Sequence, residues 1–153
     1  MFSLFKKKAV DYFSAEQKEQ IVKAIRAAEL KTSGEVRIYV ESHCTYIDPL
    51  RRAKELFESL NMHQTEARNA VLVYVAMKDK QLAVFGDEGI HQKVGDAFWN
   101  TEVKKMLSHF NQQNYATGIA NIIQEIGIAL QIHFPYNTLT DKNELPNDIV
   151  FGK

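Results

Sequence analysis

The sequence predicts an α/β fold: an αβα sandwich in which a small mixed β-sheet carries helices on both faces. Three observations predict it. Val71, Leu72, Val73, Tyr74, Val75 and Ala76 are apolar without alternation, as a strand covered on both faces must be. A period-two pattern at residues 35–41 is joined to that run by a single helical stripe, which makes a βαβ unit with parallel strands and a right-handed crossover. Leu82, Val84 and Phe85 resume strand character just after Lys78, Asp79 and Lys80, so the third strand returns as the second arm of an antiparallel hairpin.

Taken in order, residues 1–13 are a lead-in whose Met1, Phe2, Leu4 and Phe5 either pack on a neighbour or fray. Ser14-Ala15-Glu16-Gln17 is a capping box, in which the Ser14 hydroxyl accepts from a backbone amide three residues on and Gln17 reaches back. Ile21, Val22, Ile25 and Ala28 form the buried stripe of the helix that follows, and Thr32-Ser33-Gly34 stops it. Val36, Ile38 and Val40 then alternate with Glu35, Arg37, Tyr39 and Glu41, a strand with one more polar face that belongs nearer the sheet edge. Asp48-Pro49 starts the crossover helix, the carboxylate as N-cap and proline at the first helical position, where a missing N–H costs nothing. Leu50, Ala53, Leu56, Phe57 and Leu60 give it an apolar stripe.

After the hairpin the chain reads as helical throughout. Ile90 and Trp99 bracket a short helix weakened by Gly95, and Val103, Met106, Leu107 and Phe110 mark a second. Ile119, Ile122, Ile123, Ile126, Ala129, Leu130 and His133 mark a third, pressed against the sheet and ended by Pro135. Residues 14–134 thus form the domain, in the order αβαββααα. Residues 135–153 form an irregular tail packed on or near it through Leu145, Ile149, Val150 and Phe151.

Composition narrows the function classes. The chain has 153 residues, enough for one domain with a real core, and its 19 basic and 19 acidic side chains balance. No overall field draws it to nucleic acid or an anionic membrane. Cys44 stands alone, so no internal disulfide forms. MFSLFKKKAV has its lysines behind its apolar residues, the reverse of a signal peptide, and no apolar run reaches the roughly 18 residues of a membrane span. The expected location is the cytoplasm.

Strand direction yields the functional expectation. If the third strand runs back, the loop Gly86-Asp87-Glu88-Gly89 emerges where the two parallel strands begin, beside Ser33-Gly34-Glu35 and Glu66-Ala67-Arg68-Asn69. Three loops then bring Glu35, Glu66, Asp87 and Glu88 to one rim with Arg68 and Asn69, and Asp96 joins from the next helix. Clustered carboxylates with an amide oxygen and backbone carbonyls suit a hard divalent cation, Ca²⁺ or Mg²⁺, which exchanges its water shell only for oxygen. The bland alternative is that Asp87 and Glu88 merely cap a helix and Arg68 pairs with one of them. His43, His63, His91, His109 and His133 are scattered without zinc-ligand spacing, and only His91 neighbours the acidic loop. His43-Cys44, at the carboxyl end of the first strand, is the rival location. Trp99, Phe98 and Tyr115 read as core.

Residues 13–128 resemble the TPM domain, a family founded on a thylakoid lumen protein, a photosystem II repair protein and a nematode receptor modulator. The resemblance is carried by FSAEQKEQI, by DPLRRAKELF within the βαβ unit, by the Arg-Asn pair in EARNAVLVYVA, by the Gly-x-x-Gly-Ile loop of VFGDEGI with Asp96 downstream, and by YATGIANII. The sequence departs from the family in having Ala70 where a glycine usually follows Arg-Asn, and Asn61-Met62-His63 where a glycine-rich loop is common. The resemblance implies an αβα sandwich with a divalent-cation site in the loops at one end, and Arg68, Asn69, Asp87 and Asp96 match its polar positions. Some relatives are described as acid phosphatases and others as assembly or repair factors. The expected function is therefore a cation-binding interaction or assembly module whose partner is another protein. The alternative is a metal-assisted phosphomonoesterase in which Arg68 stabilises charge on the phosphoryl group.

Overall fold

Helix α1 (Ala15–Glu29) begins where the capping box puts it: Gln17 N donates to Ser14 Oγ at 3.1 Å and Ser14 N to Gln17 Oε1 at 2.8 Å. The computed structural model describes residues 8–111, 114–136 and 148–153. Met1, Phe2, Leu4, Phe5 and Leu145, to which the sequence assigns packing or fraying, lie outside them. Within the lead-in, a 3-10 turn at Ala9–Tyr12 precedes α1, and Ala9 and Phe13 are part of the core.

Strand β1 (Glu35–Glu41) is followed by α2 (Pro49–Ser59), whose first turn is closed by Leu50 N donating to Asp48 Oδ1 at 3.0 Å. Strand β2 (Ala70–Ala76) is buried along its whole length, as an unalternating apolar run requires. It pairs parallel with β1, from Glu35 opposite Ala70 to Glu41 opposite Ala76, and antiparallel with β3 (Gln81–Gly86), from Val71 opposite Gly86 to Ala76 opposite Gln81. Two helices complete this part of the chain, α3 (Glu88–Asn111) and α4 (Tyr115–His133).

Alternation divides the sheet residues into two cores. Val36, Ile38, Val40, Val71, Val73, Val75, Leu82 and Val84 meet Ile21 and Ile25 of α1, Ile119, Ile123 and Ile126 of α4, and Ile90, Trp99 and Met106 of α3. Ala70, Leu72, Tyr74, Ala76 and Ala83 face Ala53, Leu56 and Phe57 of α2, with Met62 beneath. The result is the expected αβα sandwich, three helices on one face and one on the other. Thr32 pins the first face together: its hydroxyl meets the carbonyls of Leu130 at 3.1 Å and of Phe134, and accepts from Gly34 N at 3.0 Å.

The structure corrects several expectations. The residues from Glu88 to Asn111 are not two helices parted between Trp99 and Val103: the break falls at Gly95, whose φ of 77° lies in the left-handed region that glycine enters without a Cβ clash. His133, assigned to the buried stripe of α4, is exposed. So is Leu50, which lines the mouth of a groove beside β3 instead of the core. The tail is not wholly irregular, because Val150–Phe151 form β4, parallel to β1 with Tyr39 opposite Val150 and Val40 opposite Phe151. The sheet order is β3-β2-β1-β4, so β1 lies one strand in from the edge and its Glu35, Arg37 and Glu41 are buried.

Candidate functional site

β3 does run against β2, so the turn after it meets the segment before β2 main chain to main chain. Asp87 N donates to Ala70 O at 2.9 Å and Gly89 N to Arg68 O at 2.8 Å. Arg68 adopts a left-handed conformation with φ 52°, rarely seen in a residue with a side chain. Gly89 has to be glycine, since a Cβ there would lie 2.6 Å from Arg68 O and closer still to Ala67 O.

Across this contact Arg68 grips Asp87 with a two-pronged bond, Nε to Oδ2 at 2.7 Å and Nη2 to Oδ1 at 2.9 Å. The geometry matches a guanidinium to a carboxylate, so it fixes direction as well as charge. Asp87 is only 3% exposed, and its Oδ1 also accepts from Glu88 N at 2.8 Å, closing the start of α3. Glu88 is exposed, its Oε1 3.5 Å from Arg68 Nη1. The bland reading of these residues therefore holds alongside any other: Asp87 caps α3 and Arg68 pairs with it.

One turn into α3, His91 Nδ1 receives the Trp99 indole N–H at 3.0 Å. Because an indole can only donate, the ring proton of neutral His91 sits on Nε2, which faces Asp96 Oδ1 at 3.6 Å. Trp99 packs over Gly86, where a Cβ would come within 2.8 Å of the ring. Each glycine of the Gly-x-x-Gly loop is thus required by something pressed against it.

Of the residues that sequence reasoning gathers at this rim, the structure brings together Arg68, Asp87 and Glu88, with Asp96 lining the same groove. The others do not join them. Glu35, 2% exposed, lies against Glu29, whose Oε2 accepts from Val36 N at 2.9 Å. Burial first, then the charge of Glu35, pushes the Glu29 carboxyl up to about 9. Arg37 stands beside this pair, where burial pulls its pKa down against the charges of Asp148, Glu29 and Glu35. Glu66 is exposed and makes no hydrogen bond or ion pair among the described residues. Asn69 turns its amide Nδ2 to Ser33 Oγ at 3.2 Å, and its Oδ1 is buried without a hydrogen-bond partner among the described residues. Among the described residues no three His, Cys, Asp or Glu side chains converge as a metal cage.

The opposite rim holds a network that sequence reasoning missed. Glu41, at the end of β1, accepts from Arg52 Nε and Nη2, both at 3.0 Å, and from the Tyr74 hydroxyl, while Arg52 Nη1 reaches Glu55 at 2.6 Å. Burial and the bond to Glu41 raise the Tyr74 pKa. The signal available was a carboxylate ending one parallel strand and an arginine one turn into the crossover helix beyond Pro49. His43 and Cys44 form no dyad here: His43 Nδ1 meets Asp79 Oδ1 at 3.0 Å, and the Cys44 thiol donates to Tyr46 O at 3.4 Å.

Between α2 and α3 a groove of about 980 Å³ runs along β3 and opens at the Arg68–Asp87 rim. It is lined by Leu50 and Phe57 on one wall and by Asp96, Trp99 and Val103 on the other.

Comparison with known proteins agrees with this architecture. The family model described as the TPM domain matches residues 7–129. The chain is similar to the BA42 protein of the psychrophilic bacterium Bizionia argentinensis, at 41% identity over 92% of this chain and 95% of that one, with a TM-score of 0.83. The N-terminal domain of a protein from P. gingivalis is 15% identical over 82% of this chain and 83% of that one, with a TM-score of 0.66. The N-terminal domain of the cg2496 protein of Corynebacterium glutamicum is 12% identical over 88% and 80%, with a TM-score of 0.57. These last two share the fold. No curated protein matches.

Proposed function

The chain belongs to the TPM-domain family, and from that premise we propose that it serves as an interaction or assembly module whose loop rim takes a divalent cation, Ca²⁺ or Mg²⁺. The observation that carries the reading is the Arg68–Asp87 joint, a buried carboxylate held at the meeting of two loops, with the exposed carboxylates of Glu88 and Asp96 at the mouth of the same groove. Both oxygens of Asp87 are taken by Arg68 and no three carboxylates converge among the described residues, so the exposed Glu88 and Asp96 would hold the cation, with main-chain carbonyls and water completing the oxygen donors that such ions accept. Bound there, it would supply positive charge to a mouth rich in carboxylates and order the loops around it. Glu35 is engaged with Glu29, whereas Glu66, exposed on the segment that carries Arg68, would add a further oxygen.

The phosphomonoesterase alternative draws less support. Arg68, the cation assigned to the phosphoryl group, has Nε and Nη2 committed to Asp87, and the carboxylates around it would repel a phosphate. No helical chain segment is long and apolar enough to cross a membrane among the described residues.

Titrating the protein with Ca²⁺ and with Mg²⁺ while following backbone amide shifts tests the cation site. Saturable shifts of residues 68–69, 86–89 and Asp96 are expected; amides there that stay still up to millimolar ion would overturn it.

A further inference from the structure

We propose that the open edge of β3 is a docking strip for an extended, lysine- or arginine-bearing peptide from a partner protein, which adds to the sheet as a fifth strand. The inference deepens the interaction half of the proposed function by naming the partner's chemistry, and it does not depend on the cation.

The hydrogen-bond pattern says which backbone groups are on offer. Asp87 N donates to Ala70 O, its opposite number in the β2–β3 register. In an antiparallel ladder, main-chain groups alternate between the partner strand and the far side. Gln81, Ala83 and Phe85 therefore turn theirs to β2, and Leu82, Val84 and Gly86 turn an N–H and a C=O each toward the edge. Among the described residues β3 is the last strand on that side of the sheet. None of those three amides donates to another described residue. All of Leu82, Ala83, Val84, Phe85 and Gly86 line the groove.

Edge strands are normally blunted by lysine, proline, a bulge or extreme shortness. β3 has none of these between Leu82 and Gly86: its register with β2 is unbroken, and its residues there are apolar. What protects it is depth. Leu82 and Val84 are 5% and 3% exposed, at the floor of a groove walled by α2 and α3. A recessed edge cannot meet another sheet edge, yet a single extended chain can be laid into it, with main-chain bonds supplying affinity and alternate side chains reading the walls.

Charge chooses the occupant. Five carboxylates and two cations line the groove, and with Arg68 tied to Asp87 the remainder is Asp48, Glu58, Glu88 and Asp96 against Lys54. Leu50, 46% exposed, offers apolar surface on the α2 wall. A peptide with apolar residues on one face and lysine or arginine among the rest fits both features. A second copy of the chain does not, because two-fold pairing of β3 with β3 would set the same acidic walls against each other.

The test uses the full chain, isotope-labelled, with EDTA present, and a synthetic peptide of alternating valine and lysine. Expected are saturable amide shifts at Leu82, Val84 and Gly86, slowed hydrogen exchange at those three positions, and no shift with a valine–glutamate peptide. Methylating alternate backbone nitrogens of the basic peptide removes its donors without touching the protein, and loss of even one such bond should weaken binding about tenfold. Binding that survives methylation, a peptide that shifts only residues 86–89, or sedimentation showing a dimer joined through β3 would each overturn the proposal. A failed Ca²⁺ titration would leave it intact, and a failed peptide titration would leave the cation reading intact.

Discussion

Replacing Gly89 with alanine should unlock the rim. The new methyl would sit 2.6 Å from Arg68 O and nearer still to Ala67 O, where a carbon–oxygen contact normally needs about 3.3–3.6 Å. Both obstacles are backbone, so no side-chain rotation relieves them. The two segments must part by roughly 1 Å, enough to stretch the 2.8 Å bond from Gly89 N to Arg68 O out of hydrogen-bond range. Overpacking of this kind costs about 1–3 kcal/mol, and the lost bond about 0.5–1.5 kcal/mol. The total, about 2–4 kcal/mol, corresponds to a fall in Tm of roughly 5–15 °C for a chain of this length. Thermal unfolding by circular dichroism measures the global effect, and hydrogen exchange at the amides of residues 87–89 measures the local one. A variant whose Tm stays within about 2 °C of the parent, with the Gly89 amide still protected, would refute the reasoning about main-chain contact.

Two further predictions concern buried polar groups away from the rim. Glu29 has its carboxyl pushed up to about 9 from 4.5, so its protonated form favours the folded state: the contribution is complete below pH 4.5 and fades as pH rises toward 9. Glu29→Gln, neutral throughout and still able to accept from Val36 N, should flatten that slope and exceed the parent at pH 9 by about 1–2 kcal/mol, as urea unfolding at pH 5, 7 and 9 would show. Thr32→Val keeps the shape but leaves the buried Gly34 N–H without its acceptor and takes one donor from the Leu130 carbonyl, which keeps the Phe134 N–H. It should cost about 1–3 kcal/mol in chemical denaturation, with loss of exchange protection concentrated at the end of α4.

Local rules that act over a few residues were legible in the sequence. The Ser14–Gln17 box and the Asp48-Pro49 start both formed as written, because capping needs only neighbouring groups. The unalternating run through Val71–Ala76 identified the middle of the sheet, and the short hairpin turn implied that β3 runs back, which placed Asp87 against Arg68. Side-chain direction was harder to read. Glu35 does begin β1 at the right end, yet its carboxyl goes to Glu29, a residue on the preceding helix that no loop argument included. Gly95 was recognised as a weak point, but not as the place where α3 breaks, since nothing in a stripe of apolar residues reports a φ of 77°. β4 escaped notice because two residues are too few to display a period.

That fourth strand has a consequence for how the chain matures. Tyr39 and Val150 are neighbours in space but separated by most of the polypeptide, and closing so large a loop is slow and entropically dear. While a ribosome is still making the intervening helices, β1 has β2 on one flank and nothing on the other. The nascent domain therefore carries an unmet ribbon of backbone along β1 until Val150 and Phe151 emerge.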